Sequence, residues 1–199
     1  MKEVEINKNM KLSPHLASPS EAALSHLSEL NGLHLSPHFT LGELCKTSYH
    51  PVDGNIPSHV AIENLRNICE GWLEDLRFSY NQLYGFQESG DGSQNQESGD
   101  RSQETVDIPV VITSGYRSEE VNRLCGGAKG SNHLTGCAVD IRCAGPEQLI
   151  RYSSILLDIA DGTRREFDEL IHEKRGTTWW LHFAVRPSGN RRKILFDMR

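Results

Sequence analysis

The sequence contains no long apolar run. None of its 199 residues belongs to a stretch approaching the roughly 20 consecutive apolar residues that a membrane-spanning helix needs. The first 15 residues mix acidic and basic side chains, and no apolar segment follows them, so they do not predict a secretory signal. We therefore expect no insertion into a membrane. The protein would act in the cytoplasm, leave it by another route, or have been trimmed.

Runs of positive charge and paired cysteines are also absent. The net charge is −6 and no basic run is present, which excludes a nucleic-acid backbone as the main partner. The five cysteines are odd in number and contain no C-x-x-C pair, so the sequence predicts neither a disulfide framework nor a zinc knuckle. A nucleophilic role for Cys137 is disfavoured because no basic partner is indicated nearby in the sequence.

The composition divides the chain into a tail and one folded domain. Residues 1–34 carry a single weak helical pattern, from Ser20 to Leu30, which predicts a tail or a loosely docked helix. The domain is expected over residues 35–199. Within it, QESGDGSQN is followed at once by QESGDRSQE, at 87–104, with no aliphatic or aromatic residue. Such a segment cannot bury enough apolar surface to offset its ordering entropy, so we expect a mobile polar insertion.

The apolar patterning of the domain predicts an α+β fold. Helical spacing from Ala61 to Leu76 gives one wide apolar face, on a helix expected to open at Asn55. A second helix is expected from Pro146 to about Ile159, ended by Gly162. The last strands are close enough in sequence to pair as hairpins, which favours a single domain with a mostly antiparallel sheet packed against helices. Strands are predicted at 108–113, 137–143, 167–173, 178–185 and 192–198.

Two short segments carry the residues that could perform chemistry. The first runs from Ser131 to Asp140 (SNHLTGCAVD) and the second is Trp180-Leu-His182. His133, Asp140 and His182 would supply two imidazoles and one carboxylate, a set that suits zinc with a fourth position left for water. Asp140 lies in an otherwise apolar strand, where an unpaired carboxylate is costly. A metal would relieve that cost, and so would an arginine or a backbone donor. The spacing alone leaves these alternatives open.

The pattern S-x-H-x-x-G-x-A-x-D followed by W-x-H resembles the M15 zinc D-Ala-D-Ala carboxypeptidases and their phage endolysin relatives. Upstream, TSGYRSEEVN at 113–122 resembles the Arg-bearing turn of that family. LSPHFTLGEL at 35–44 resembles the opening of its shorter, phage-associated branch, and FDELI at 167–171 resembles the strand before its last ligand. The resemblance extends from about Leu35 to Val185, broken by the repeat.

This resemblance implies a role for each matching residue. His133, Asp140 and His182 would bind Zn²⁺, and Arg117 would bind a carboxylate or carbonyl oxygen of the substrate, which suits a planar, permanently charged donor. Ser131 would fix its loop or contact substrate. The implied activity is hydrolysis of peptidoglycan peptides, at a terminal D-Ala or at a cross-link, by a monomer. Such a protein would be a trimming enzyme of the cytoplasm or a phage-type lysis enzyme.

One position departs from the family pattern. Many members place an acidic residue three positions before the final histidine, where this chain has Trp179. Glu173 is our candidate for the general base, because it ends the preceding strand and could reach the metal from there. Strand alternation puts Glu173, Glu169 and Ile171 on one face, with Asp168 on the other. The alternative for Glu173 is an exposed hairpin carboxylate.

A second class of function is a binding module that keeps zinc without turnover. The signalling domain of Hedgehog proteins resembles M15 enzymes and shows that the fold permits this. The missing acid at Trp179 favours a binding module, and the Arg117 motif counts against it. A thermolysin-like site is excluded, because Gly176 stands where the second histidine of H-E-x-x-H would follow His172 and Glu173.

Overall fold

The computed structural model describes residues 31–85 and 106–198. The N-terminal helical pattern at 20–30 and the tandem repeat at 87–104 lie outside the described residues. The described ranges contain helices and two sheets, which confirms the predicted α+β class. None of the described helices is long and apolar enough to cross a membrane.

A small hairpin and a long helical segment form the first half of the domain. Strands β1 (His34–Ser36) and β2 (Phe39–Thr40) pair antiparallel and lead into the short helix α1 (Leu41–Leu44). Helix α2 (His59–Ile68) continues through a π-helical turn (Cys69–Leu73) into α3 (Glu74–Tyr84). The helix begins later than the expected Asn55, because Ser58 caps it by accepting a hydrogen bond from the Ala61 amide.

A five-stranded sheet forms the second half. Its strands lie in the order β3-β4-β6-β5-β7, and all neighbours are antiparallel except β5 and β7. Helices α4 and α5 come before and after β4. The bounds are β3 (Ile112–Ser114), α4 (Glu119–Leu124), β4 (Ala138–Cys143), α5 (Pro146–Thr163), β5 (Glu169–Arg175), β6 (Thr178–Ala184) and β7 (Lys193–Met198).

The core lies between one face of this sheet and the helices. Trp72, from the π-helical turn, meets Phe183 of β6 edge-on at a ring-centroid distance of 5.1 Å. Phe167 completes the aromatic cluster, 5.9 Å from Phe183. Burying three large aromatic rings in edge-to-face and tilted contact holds the long helix against the sheet. The opposite face of the sheet is thereby left open to solvent.

Three further expectations differ from the structure. Helix α5 passes through Gly162 and ends at Thr163, and the next residue, Arg164, adopts a left-handed conformation with φ of 59°. The strand expected at 108–113 is shorter in the structure, where β3 spans Ile112–Ser114. Strand β7 lies parallel to β5 instead of forming a hairpin with β6.

Asn55 has a positive φ of 52° and joins two loops. Its side chain donates to the Cys45 carbonyl and accepts from the Ser118 amide.

Candidate metal centre

The open face of the sheet presents its side chains in rows, because β4, β6, β5 and β7 are paired in register. The central row contains Asp140, His182, Ile171 and Leu195. The row on one side contains Ala138, Ala184, Glu169 and Lys193, and the row on the other side contains Arg142, Trp180, Glu173 and Asp197. Alternation along the strands therefore fixes which charged groups surround Asp140 and His182.

His133 reaches this row from a 3-10 turn, Asn132–Thr135. The Ser131 hydroxyl caps the turn by accepting from the His133 amide at 3.4 Å. Gly136 ends it in a left-handed conformation with φ of 70°, and a Cβ there would lie 2.3 Å from the Ala61 carbonyl oxygen. Only glycine satisfies both constraints. The turn consequently delivers His133 to the end of the loop that feeds β4.

The structure brings His133, Asp140 and His182 into one buried cluster. Nε2 of His133 lies 3.3 Å from Oδ1 of Asp140 and 3.2 Å from Nδ1 of His182. Nδ1 of His182 lies 2.9 Å from the same Asp140 oxygen. One atom from each residue therefore contributes to a nearly equilateral triangle.

In each histidine, the ring nitrogen that points away from the cluster has a partner that fixes the orientation of the ring. Nδ1 of His133 lies 2.5 Å from the carbonyl oxygen of Gly115, which can only accept, so Nδ1 carries the proton and Nε2 is an acceptor. Nε2 of His182 lies 3.6 Å from a Glu169 carboxylate oxygen, which favours a proton on that nitrogen. The inner corners of the triangle are then three acceptors that need a shared cation.

The donor set fits zinc. Tetrahedral bonds of about 2.0–2.2 Å place neighbouring ligand atoms about 3.3 Å apart, close to the observed separations. A metal-binding histidine usually donates its other N–H to a carbonyl or carboxylate, as His133 does to Gly115. His133 Nε2, Asp140 Oδ1 and His182 Nδ1 would be the ligands.

Without a metal, protonation of His182 supplies the positive charge. Burial opposes the charged imidazole, but hydrogen bonds to Asp140 and Glu169 outweigh it and raise the pKa of His182 to about 9. Burial keeps the pKa of His133 below its ordinary value despite the nearby Asp140 carboxylate. Although burial alone would raise the pKa of Asp140, the two histidines hold it far below its ordinary value. The hydrogen bond to His182 likewise lowers the pKa of Glu169 to about 2.

Arg117 lies beside the cluster. Its Nε donates to the Ser114 hydroxyl at 2.8 Å, and its Nη2 forms an ion pair with Oδ2 of Asp140, the oxygen that faces away from the histidines. The side chain is 18% exposed and lines the cleft. The sequence left open whether a metal or an arginine satisfies Asp140. The structure provides an arginine on one oxygen and a metal-binding geometry on the other.

Glu173 lines the same cleft, on the face that alternation predicted. Burial, and then the Asp140 carboxylate, raise the pKa of Glu173. Asp168, which precedes β5, is fully buried and accepts two hydrogen bonds of 2.6 and 2.7 Å from Arg191. Trp179 packs against the core, whereas Trp180 lines the cleft.

A model of the Peptidase M15 family matches residues 91–173. This segment of the chain is similar to the M15 peptidases. The match includes His133, Asp140 and Glu173 and stops before His182, and it does not distinguish the phage-associated branch. No curated protein matches the chain. The match supports a hydrolase of the metallopeptidase type.

Sequence reasoning missed the supporting role of Glu169. Its carboxylate contacts His182, and it also contacts Arg191 at 2.9 Å and Lys193 at 3.3 Å. The side-chain amide of Asn132, the residue before His133, donates to the Glu169 carboxylate at 3.0 Å. The only sequence signal was alternation, which placed Glu169 on the same face as Glu173. The contact with His182 follows from the β5–β6 register.

The metal assignment predicts roughly one zinc per chain, lost when either histidine is removed. His133→Ala and His182→Ala should each abolish stoichiometric binding, because two remaining ligands cannot hold a tetrahedral ion. Glu169→Gln should retain one zinc at saturation but weaken its affinity by about 10–100-fold, the usual effect of losing an outer carboxylate partner. Elemental analysis and a competitive chelator titration measure both quantities.

Glu166→Gln is the matched control, because Glu166 is exposed. Its zinc affinity should equal that of the parent. Stoichiometric zinc in both histidine variants would exclude the proposed ligand set.

The raised pKa of His182 predicts how the stability of the metal-free protein varies with pH. Its folded value of about 9 exceeds the ordinary 6.5, so its contribution is complete below pH 6.5 and is lost as the pH rises through 9. Between pH 6.5 and 9.5 the EDTA-treated protein should lose on the order of 2 kcal/mol of unfolding free energy. Urea titrations at both values measure the loss, and His182→Ala should reduce it. An undiminished loss in that variant would assign the pH dependence to another group.

Proposed function

We propose that the protein is a zinc-dependent peptidase that hydrolyses peptide bonds of peptidoglycan stem peptides. The observation that carries this proposal is the convergence of three acceptors on one point, next to a half-buried carboxylate, in a cleft lined partly by the segment that matches the M15 model. A cavity of about 530 Å³ covers the cluster, Glu173 and Trp180. That volume is in the usual range for a small-ligand site and accommodates a short peptide segment.

When bound by His133, Asp140 and His182, zinc would supply Lewis-acid polarisation of the scissile carbonyl and a coordinated water of lowered pKa. The three ligands are held rigidly, because the Gly115 carbonyl, Arg117 and Glu169 fix their outer atoms. Such preorganisation means that little reorganisation is needed when charge develops on the carbonyl oxygen.

Glu173 is the proposed general base. It lies beside Trp180 in the row next to His182, and its side chain lines the cleft. It would accept a proton from the attacking water and then donate it to the nitrogen of the leaving amine. Burial and Asp140 raise the pKa of Glu173, which brings a carboxylate closer to the range where it can both accept and release a proton. Glu173 therefore replaces the acid that is missing at Trp179.

Arg117 is proposed to act in two ways. Its ion pair with Asp140 orients that carboxylate, so that Oδ1 faces the histidines. Its guanidinium also lines the cleft, where it can bind a substrate carboxylate or the developing oxyanion. Ser131 lines the cleft as well, and its bond to the His133 amide supports a positioning role for its hydroxyl.

The proposal leaves one further choice, which is whether the protein acts on the terminal residue of a stem peptide or on a cross-link. A carboxypeptidase needs a cation for the terminal carboxylate, and Arg175, Arg186 and Arg191 lie around the cleft. Arg186 and Arg191 are both bound to the buried Asp168. Mass analysis of purified peptidoglycan fragments after incubation with the zinc-loaded protein distinguishes the outcomes. Loss of one alanine indicates a carboxypeptidase, and breakage of a cross-link indicates an endopeptidase. Zinc binding without any cleavage would favour the binding module.

Replacing Glu173 tests the general base. Glu173→Gln is nearly isosteric and removes only the proton acceptor, so zinc content and melting temperature should be preserved. Hydrolysis should fall by about a hundredfold or more, the size typical of losing a general base. Initial rates on a fragment that the parent cleaves measure the effect, with Glu166→Gln as control. A Glu173→Gln variant that retains the parent rate would transfer the role to another group.

Replacing Arg117 separates its two roles. Arg117→Lys keeps the charge but loses the fork that bonds Ser114 and Asp140 together, so zinc affinity should fall by about 10–100-fold. At saturating zinc, kcat/KM should still fall by about tenfold to a thousandfold through loss of the substrate contact. Arg123→Lys is the control, because Arg123 is 74% exposed. Full recovery of activity at saturating zinc would restrict Arg117 to orienting Asp140.

A further inference from the structure

Strand β7 forms one edge of the five-stranded sheet. Its inner side pairs with β5 over six residues, from Lys193 to Met198, and within the described ranges no strand pairs with its outer side. Backbone groups alternate between the two sides of a strand, so N–H and C=O groups remain on that outer side. A six-residue edge is long enough to template pairing with another strand.

The side chains of β7 do not protect this edge. Edges are usually blunted by charge, proline or a bulge, whereas β7 has neither proline nor a register shift. Its apolar residues are instead unusually exposed: Phe196 is 69% exposed, and Ile194, Leu195 and Met198 are between 41% and 46% exposed. The two charges on the strand, Lys193 and Asp197, have opposite signs and stand near its two ends, and Lys193 also contacts Glu169 of its own chain at 3.3 Å.

These six residues are self-complementary. If two copies of β7 run antiparallel about a twofold axis at Leu195, Lys193 of each copy lies opposite Asp197 of the other. Ile194 then lies opposite Phe196, and Leu195 opposite itself. Opposite residues in an antiparallel pair point to the same face and interact directly. A register shifted by two residues in either direction would place a charged residue opposite Leu195 and lose both ion pairs.

We propose that the outer edge of β7 pairs with β7 of a second copy of this chain, in antiparallel register about Leu195. The interface is isologous, so each attractive pair occurs twice. It extends the sheet from five strands to ten across the twofold axis. The proposal differs from the monomer that we expected from the sequence, because that expectation took no account of an exposed edge.

The pairing has a consequence for the clefts. A twofold axis perpendicular to a continuous sheet keeps equivalent faces on the same side. Both metal centres would therefore open on one face of the assembly, where two clefts could engage neighbouring peptides of a polymeric substrate. The association itself requires neither zinc nor turnover.

Charge reversal tests the register. Sedimentation equilibrium of the full chain over a range of concentrations should show a monomer–dimer equilibrium. Lys193→Asp places two acidic residues opposite each other, and Asp197→Lys places two lysines opposite each other. Each single variant should dimerise about tenfold more weakly or worse, because both cross-strand pairs become repulsive. Circular dichroism checks that the variants are folded.

Mixing the two variants tests the proposed register most directly. In a heterodimer of Lys193→Asp with Asp197→Lys, both cross-strand pairs are again attractive, so a 1:1 mixture should recover dimerisation. A chain that carries both charge reversals should recover dimerisation without a second variant. Lys129→Asp changes the net charge by the same amount at an exposed loop and should dimerise like the parent.

Three results would overturn the proposal. The first is a parent chain that stays monomeric at all concentrations. The second is parental dimerisation by Lys193→Asp. The third is a mixture that fails to associate better than its two components.

Discussion

The site depends on one electrostatic constraint: two imidazole nitrogens and a carboxylate oxygen are held within about 3 Å of one another, and all three are hydrogen-bond acceptors. Such a cluster is stable only around a cation, which can be a proton on His182 or a metal ion. The surrounding residues prevent the cluster from relaxing outwards. The Gly115 carbonyl fixes His133, Arg117 fixes Asp140 and Glu169 fixes His182.

A second set of charged groups, centred on Asp168, supports this arrangement. Asp168 is fully buried, yet it lies within ion-pair distance of Arg186 and Arg191, which belong to the segment between β6 and β7. Asn132, next to His133, donates to Asp168 and to Glu169. The turn that carries His133, the strand that carries Glu169 and the loop after β6 are thus joined through a few hydrogen bonds. A buried carboxylate that lost these partners would be strongly destabilising, so the network constrains all three segments together.

Local patterns predicted the features that depend on neighbours in sequence. Helical spacing located the long helix, and strand alternation placed Glu173 on the face of Glu169. The ligand set needed the M15 resemblance, because spacing alone could not exclude an arginine beside Asp140. Features set by long-range contacts were missed: the Glu169–His182 contact depends on the β5–β6 register, and the parallel pairing of β7 has no local signal. Gly162 does not end helix α5. The left-handed residue that follows the helix is Arg164, two positions later.

Zinc-edge X-ray absorption of the loaded protein tests the central claim most directly, because it reports the atoms around the ion. The account predicts a four-coordinate shell of nitrogen and oxygen at about 2.0–2.2 Å, with two imidazoles and no sulfur. In His182→Ala, one imidazole contribution should disappear from any zinc that remains. A sulfur shell at about 2.3 Å, or a spectrum unchanged by that substitution, would contradict the assignment of His133, Asp140 and His182 as the metal centre.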